Sequence, residues 1–199
     1  MVSYFLQDWG KTTTAIDIYS GSFNDRVVNR DVTLLEMDAA SLQFEDESFD
    51  FVFSYDGFEH FSQPELVLRE AIRVTKPGGY IYLQFEPLYM SPFGLHAWEL
   101  TNIPYCHLLF PRELLQDFIG ESGRSFFQNI DKGLNQWSLS QFRSLWKLYS
   151  NQLKTCKYYE GYDGNHLNII NKYPSVFTRK TKEFDNLICD RIEILFEKK

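Results

Sequence analysis

The sequence predicts an α/β fold built on a mostly parallel sheet with an antiparallel strand at its C-terminal end. Strand-like apolar runs alternate with helical periodicity along the 199 residues, which is typical of parallel strands joined by crossover helices. The early runs are continuously apolar, as in strands covered on both faces. The last run, DRIEILFEK at 190–198, alternates apolar and charged residues, as in an antiparallel strand with one wetter face.

Other apolar runs place the remaining strands. Two of them each meet an acid, Asp17 in TTTAIDIY and Asp38 in DVTLLEMD, and a third, FDFVFSY, is followed by Asp56. Runs at 80–86 and 153–160 complete the set. Ligands of open α/β sheets bind beyond the carboxyl ends of the strands, so these acids are candidates for a binding site.

A first clear helix follows the third strand. Ser62 and Glu65 have the spacing of a capping box, and Pro64 lies in the first turn. Apolar residues then recur at helical spacing. The segment Lys76-Pro77-Gly78-Gly79 ends this helix, because proline and glycine do not continue one.

Further helix signals lie at both ends of the chain. Residues 2–9 are interpreted as the end of a helix that stops at Gly10. Ser138 and Gln141 form a second capping box, which predicts a helix over 138–150. A polar, helical stretch after the fifth strand is broken at Pro174.

The stretch 87–137 differs from the alternating pattern around it. Four prolines interrupt apolar and aromatic patches, and the stretch is too long for an ordinary connection between a strand and a helix. It is interpreted as an inserted cap of short helices over the sheet edge. The chain, 1–199, is predicted to be one domain with this insertion.

Composition excludes several classes of protein. Hydrophobic residues make up 44% of the chain, which argues against disorder, and the net charge of −7 gives no general attraction to nucleic acid or anionic lipid. The three cysteines are widely spaced, which favours neither a disulfide framework nor a zinc site. The start does not look like a signal peptide, and no apolar run is long enough to cross a bilayer. We expect a cytoplasmic protein.

A series of short motifs in residues 37–83 carries a family resemblance. Asp38 precedes Leu42-Gln43-Phe44, then Asp46-Glu47-Ser48-Phe49-Asp50, then Glu59-His60, and Arg73-Val74-Thr75-Lys76-Pro77-Gly78-Gly79 closes the series. In this order and spacing, the series resembles class I S-adenosylmethionine-dependent methyltransferases of the type 11 group. The resemblance implies a Rossmann-like sheet, S-adenosyl-L-methionine as the methyl donor and a methyltransferase activity. Segments such as FGLHAW and LNQWSLSQFRSLW are similar to some bacterial members.

One departure from the family stands at the N-terminus. The family's first strand ends in a glycine-rich loop that approaches the methionine part of the donor closely, and no G-x-G occurs in this sequence. By order, the strand and loop would lie before residue 1. Three explanations compete: a truncated chain, direct pairing of the family's second and fourth strands, or a partner chain that supplies the missing strand. Truncation is favoured here.

The resemblance assigns the donor site to acids at strand ends. Asp17 matches the acid that accepts hydrogen bonds from both ribose hydroxyls, a task that suits a carboxylate. Asp38 and Ala39 match the pair that binds adenine, through the carboxylate and the following N–H. Tyr55, at the end of the third strand, is a further candidate for donor contact. The competing interpretation of Asp17 is a simple loop cap.

Candidates for the acceptor side follow the third strand and lie in the insertion. Asp56 and Glu59 are candidates for substrate contact, and His60 for removal of an acceptor proton. In the insertion, His96 is a second candidate base, and the expected pocket-lining residues are Trp98 and His107. Each of these histidines is equally interpretable as a structural hydrogen-bonding group. The spacing of the four histidines predicts no metal site.

Two functions of different classes remain open. The first is methyl transfer to a small-molecule, glycan or lipid-intermediate acceptor held beneath the 87–137 cap. The alternative is a non-catalytic, methyltransferase-like module that has lost the cofactor loop and binds a partner chain. A nucleotide-sugar-binding Rossmann protein is a weaker third option, since it too needs a glycine-rich phosphate loop.

Overall fold

The structure is a computed structural model that describes residues 10–19, 21 and 32–199, with the backbone alone at residues 130–132. The predicted helix end at 2–9 lies outside the described residues. The described elements, in chain order, are β1 (Thr13–Asp17), β2 (Val32–Glu36), β3 (Phe49–Tyr55), α1 (Pro64–Val74), β4 (Thr75–Phe85), α2 (Cys106–Leu109), α3 (Arg112–Ile119), α4 (Glu121–Gly133), α5 (Leu139–Leu148), β5 (Leu153–Tyr162), α6 (Leu167–Lys172), α7 (Pro174–Lys180), α8 (Asp185–Ile188) and β6 (Cys189–Lys198).

The strands form two sheets within the described part of the chain. β1 and β2 pair in parallel, and the second sheet has the order β3-β4-β6-β5. In this second sheet β3 and β4 are parallel, while β6 is antiparallel to both β4 and β5. β6 therefore runs against the other three strands. The predicted α/β fold, mostly parallel with an antiparallel C-terminal strand, is confirmed.

The gap between the two sheets contradicts one explanation of the missing loop. Among the described residues β1 pairs with β2 and β3 pairs with β4, so β1 and β3 do not pair with each other. Direct pairing of the family's second and fourth strands, which these two represent, is therefore wrong. One edge of β1 and one edge of β3 make no strand pairing in the described structure.

The main core lies between the four-stranded sheet and two helices. β4 turns Ile81, Leu83 and Phe85 toward α1 and α5, because alternate residues of a strand face the same side. On α5, Phe142 is fully buried and packs against the rings of Phe85 and Phe58. This aromatic contact fixes the position of residue 58, directly before the polar segment that follows β3.

The opposite face of the same sheet is more open than the sequence predicted. Phe51 of β3 and its register partner Tyr80 of β4 are 42% and 41% exposed. The continuously apolar run 49–55 suggested a strand covered on both faces. Within the described residues, β3 is covered on one face only, since its other face carries these exposed rings.

The two predicted capping boxes have different outcomes. At the start of α5, Ser138 accepts a hydrogen bond from the Gln141 backbone N–H, and the Gln141 side chain accepts one from the Ser138 N–H, so this capping box is confirmed. The box predicted at Ser62 and Glu65 is wrong. The N-cap of α1 is Gln63, which makes no side-chain cap hydrogen bond, and Pro64 begins the helix.

Three helices, α2 to α4, lie within the stretch 87–137, and they share a small core of their own. Leu95, Cys106, Leu115 and Phe127 are buried together there. A third cluster joins α2 to the helices that precede β6, with Tyr105 at its centre. Tyr105 is fully buried, and its hydroxyl donates to the Leu187 carbonyl at 2.9 Å. The short-helix content expected for this stretch is therefore present.

Candidate active site

Two acids lie at the carboxyl ends of neighbouring parallel strands, as the sequence predicted. Asp17 is the last residue of β1 and pairs in register with Glu36, the last residue of β2. Asp38 follows two residues later. In each acid one oxygen is already bonded locally: Asp17 Oδ1 accepts from the Tyr19 N–H at 3.0 Å, and Asp38 Oδ1 accepts from the Ala40 N–H at 2.8 Å. These turns hold both carboxylates at the same edge.

The segment after Asp38 is held against α1 by Arg73. Ala39 packs against the main core. The Arg73 guanidinium donates to the carbonyls of Leu42 and Phe44 at 2.8 and 2.7 Å and to the Asp46 carboxylate at 2.8 Å. Arg73, the first residue of the last motif in the series, thus fixes the turn that follows Asp38, and with it the position of Asp38 and Ala39.

Charged residues lie at the N-terminal ends of β1 and β3. The Lys76 ammonium, 2.7 Å from the Asp50 carboxylate, is the main cause of the lowered pKa of Asp50, and the charge of Lys11 contributes as well. Lys11 lies just before β1, and Asp50 lies at the start of β3. The positive charge of Lys11 thus acts on the start of β3.

β3 ends in a strained turn that points Asp56 toward β4. Asp56 has a φ of +47°, which is uncommon outside glycine. Its N–H donates to the Gln84 carbonyl at 2.9 Å, and its Oδ1 accepts from Gln84 Nε2 at 3.2 Å. Burial raises the pKa of Asp56, although the bond from Gln84 opposes this, and the Glu86 charge raises it further. Tyr55 beside it is 55% exposed.

Glu59, His60 and His96 form a compact cluster next to this turn. One ligand atom of each lies within 4.8 Å of the others, and His60 Nε2 is 3.7 Å from Glu59 Oε1. The two imidazole rings meet edge to face with their centroids 5.1 Å apart. The structure therefore brings together the two residues that the sequence proposed as bases, although they are far apart along the chain.

Backbone carbonyls fix both imidazoles. His60 Nδ1–H donates to the Gly133 carbonyl, and His96 Nε2–H donates to the Pro87 carbonyl at 2.9 Å. Because a carbonyl oxygen only accepts, these contacts place the proton of each ring on the nitrogen that is bonded to the carbonyl. His60 Nε2 and His96 Nδ1 are left with their lone pairs.

Burial sets the electrostatics of this cluster. Glu59 is 4% exposed, and burial raises its pKa to about 8, with the charges of Asp56 and Glu86 adding to the shift. Its Oε2 has no hydrogen-bond partner among the described residues. Burial also lowers the pKa of His96, which keeps that ring neutral. A buried carboxyl without a partner is costly, and such groups occur mainly where they serve a function.

The other two expected pocket residues lie elsewhere in the insertion. Trp98 is half exposed, and its ring lies 5.3 Å from that of Phe93. His107 donates from Nε2 to the Tyr89 carbonyl at 2.6 Å, and burial lowers its pKa to about 4. Within the described residues no hydrogen bond or ring contact links either one to His60 or His96. Their role in a pocket stays a prediction.

Several residues around the site were not singled out from the sequence. Gln84 is 5% exposed at the end of β4, and Glu86 forms an ion pair with Arg191 of β6. Asn135 donates from its backbone to the Glu59 carbonyl and from its side chain to the Phe58 carbonyl, both at 2.9 Å. The signal for Gln84 was a polar residue inside the apolar run YIYLQFE. Asn135 gave no comparable signal, because its role depends on a tertiary contact.

The described residues fit part of the cofactor that the resemblance implies. Two carboxylates at adjacent strand ends suit the hydroxyl and amine donors of an adenosine group. The described residues contain no glycine-rich loop for the methionine part of S-adenosylmethionine. The described residues therefore suit the adenosine half of S-adenosylmethionine, and they include no counterpart for its methionine half.

Comparison with known proteins assigns the N-terminal part of the chain. Residues 1–83 match the family described as "Methyltransferase domain". The match covers 83 of the 199 residues of the chain. The resemblance of the motif series to class I S-adenosylmethionine-dependent methyltransferases is thereby confirmed.

Curated relatives of the matched segment include mycobacterial proteins. An uncharacterized methyltransferase of Mycobacterium leprae is 39% identical over 62 residues, which are 31% of this chain and 23% of the relative. One from Mycolicibacterium vanbaalenii is 36% identical over 70 residues, which are 35% of this chain and 27% of the relative. The matched segment thus spans about a quarter of the length of these relatives.

Solved structures with low sequence identity share the fold. The PH0226 protein of Pyrococcus horikoshii has a TM-score of 0.58 at 19% identity, over all of this chain and 76% of its own. A SAM-dependent methyltransferase of Thermotoga maritima has a TM-score of 0.53 at 18% identity, over 98% of this chain and 76% of its own. At this level of identity the comparison concerns the fold alone. Among the described residues, no helix is both long and apolar enough to span a bilayer.

Proposed function

We propose that this chain takes part in S-adenosylmethionine-dependent methyl transfer. The observation that carries the proposal is the placement of Asp17 and Asp38 at the carboxyl ends of neighbouring parallel strands. Asp17 would hold the ribose hydroxyls, and Asp38 with the Ala39 N–H would hold adenine. Tyr55, at the end of β3, would contact the donor from the acceptor side.

The bound donor would supply a methyl group already activated on sulfur. The protein's task is then to orient an acceptor and to exclude competing contacts. We propose His60 and His96 as the catalytic groups on the acceptor side, because their rings meet edge to face with centroids 5.1 Å apart, just past the end of β3. Asp56 and Glu59 would contact the acceptor beside them.

The acceptor is proposed to be a small molecule, a glycan or a lipid intermediate. The stretch 87–137 supplies His96, whose ring contacts that of His60, so we assign this stretch to the acceptor side as an insertion in a single domain. Trp98 and His107 are the proposed outer lining. The cytoplasm is the proposed location, since the proposed methyl donor is a metabolite.

Equilibrium dialysis with radiolabelled S-adenosylmethionine tests the donor site. We expect saturable binding of one molecule per chain, weakened about tenfold or more by Asp17→Asn, because the neutral amide loses a charge-assisted acceptor. Asp117→Asn is the matched control, since Asp117 is exposed on α3 and has no proposed donor contact. Absence of binding by the folded wild-type chain would overturn the proposal.

The open strand edges favour a second candidate, a non-catalytic module that binds a partner chain. β3 has no second strand partner in the described structure, and Phe51 on it is 42% exposed. An unpaired apolar edge accepts a strand from another chain or from a preceding segment. Two measurements on a Phe51→Lys variant separate the functions. If the chain is a binding module, size-exclusion chromatography should show the loss of a complex. If the chain is an enzyme, equilibrium dialysis should show unchanged donor binding.

A further inference from the structure

We infer that Glu59, His60 and His96 form a binding site for a divalent transition-metal ion of the zinc class. Two imidazole nitrogens and one carboxylate oxygen converge within 4.8 Å. Two imidazoles with one carboxylate are a recurring ligand set for zinc and for non-haem iron. The spacing of histidines along the chain predicted no metal, because the two histidines come together only through the fold.

The hydrogen bonds of the two histidines match those of metal ligands. A ligating imidazole normally donates its other N–H to a carbonyl or carboxylate, which fixes its tautomer and orientation. His60 does so to the Gly133 carbonyl, and His96 to the Pro87 carbonyl. The two nitrogens that keep a lone pair, His60 Nε2 and His96 Nδ1, are therefore the ones that can coordinate a metal ion.

Glu59 supplies an independent indication of a missing ligand. It is 96% buried, its Oε1 lies 3.7 Å from His60 Nε2, and its Oε2 has no hydrogen-bond partner among the described residues. A buried carboxylate oxygen without a donor is costly unless a cation or donor reaches it. Asp56 and Glu86 are close enough to act on Glu59 electrostatically, and they make the site more negative.

The size of the cluster suits a zinc-sized ion. Zinc ligands lie about 2.1 Å from the metal, so tetrahedral neighbours are about 3.4 Å apart. The 3.7 Å between His60 Nε2 and Glu59 Oε1 is close to this spacing, and the three ligand atoms, which lie within 4.8 Å of one another, reach it with a movement of roughly 1 Å. Three protein ligands leave a position for water or for an acceptor oxygen, as in catalytic zinc sites.

The inference adds a metal to the acceptor side of the proposed function, but it does not depend on methyl transfer. In the metal-bound chain the two imidazoles are ligands, and the metal orients and polarises an acceptor oxygen in their place. Metal binding is measured without a methyl donor. A chain that binds the metal but not the methyl donor would overturn only the proposed function. A chain that binds the donor but not the metal would overturn only the metal site.

Titration with Co²⁺, followed by its visible absorption, tests the metal site. A Cys156→Ser background removes the exposed thiol as a competing ligand. We expect one Co²⁺ per chain, displaced by Zn²⁺, with affinity at least tenfold lower in His60→Gln and in His96→Gln. His166→Gln, which changes a histidine outside the cluster, should bind as the parent does.

Two results would overturn the inference. One is a folded parent chain that takes up no Co²⁺ at equimolar concentration. The other is uptake that His60→Gln leaves unchanged. The exposed position of His60 makes loss of the fold an unsuitable explanation for that variant, and circular dichroism checks it. As a second measurement, Zn²⁺ should raise the Tm of the parent and of His166→Gln but not that of His60→Gln.

Discussion

At the scale of single residues, the geometry of the site depends on a crowded glycine. Gly94 precedes His96 by two residues, and its N–H donates to the Ser91 carbonyl at 3.1 Å. A Cβ at this position would lie 2.1 Å from the Tyr89 carbonyl oxygen and 2.3 Å from that of Leu88. Because backbone atoms surround it, the space cannot open without moving the turn that carries His96.

Gly94→Ala should therefore destabilise the chain by more than about 2 kcal/mol, through overpacking against the backbone. Urea unfolding measures this as a lower transition midpoint. Gly164→Ala is the matched control, because its Cβ would meet only Leu167 Cδ1 at 3.7 Å, an ordinary contact. Equal midpoints for the two variants would contradict the close approach at Gly94.

Single residues also differ in how well the sequence predicted their positions. Asp17, Asp38 and Asp56 followed apolar runs, and the structure places each at or just past a strand end, because strand periodicity is a local property. The approach of His96 to His60 could not be predicted in this way. It depends on the φ of +58° at His96 and on a carbonyl of the loop at Pro87, which are consequences of tertiary packing.

At the scale of elements, the two serine positions give a direct comparison of helix capping. Both Ser62 and Ser138 stood three residues before Glu or Gln, so the sequence could not distinguish them. In the structure Ser138 caps α5, whereas α1 begins at Pro64 after Gln63. The proline fixes the start of α1, which moves the cap one residue beyond Ser62.

Ser138→Ala should cost about 1 kcal/mol of unfolding free energy, the usual value of an N-cap hydroxyl. Ser62→Ala should change it by less than about 0.5 kcal/mol, as at other exposed positions. Thermal or urea unfolding of the two variants provides the comparison. A loss at Ser62 as large as that at Ser138 would show that α1 uses the capping box after all.

An ion-pair network joins α5, β5 and α8. Arg143 donates to both carboxylate oxygens of Glu160 at 2.8 and 2.6 Å, and it contacts Asp185 at 3.3 Å. Burial by itself would raise the pKa of Glu160. The hydrogen bonds from Arg143, Tyr158 and Tyr162 together outweigh it and lower the pKa to about 2.

This network should stabilise the chain only when Glu160 is ionised. Because the folded-state pKa lies below the ordinary value, the stabilisation is present above pH 4.5 and is lost as the pH falls toward 2. After allowance for the 40% exposure of Arg143, its size is about 1 to 2 kcal/mol.

Glu160→Gln measures this contribution. The variant should be less stable than the wild type at pH 7, and the difference should shrink as the pH approaches 2, as followed by urea unfolding at several pH values. Glu45→Gln, at an exposed position, is the control and should follow the wild type throughout. A Glu160→Gln difference that stays constant with pH would show that the ion pair contributes no stability.

At the scale of the whole molecule, the described residues form two sheets, and each sheet ends in a strand edge without a partner, on β1 and on β3. The sequence predicted the strands themselves, because apolar runs are a local signal, but the order β3-β4-β6-β5 is known only from the fold. The open face with Phe51 and Tyr80 was not predicted. Apolar runs show that a strand is suited to burial, but they do not show which segment covers it.

We propose that the ends of β1 and β2 form the methyl-donor site beside the end of β3. An NMR titration with S-adenosylhomocysteine, the demethylated donor, locates the site directly through backbone amide shifts. We expect shifts concentrated at residues 17–19, 38–41 and 55–57. Shifts confined to other parts of the chain, or a folded chain without any shift, would contradict it.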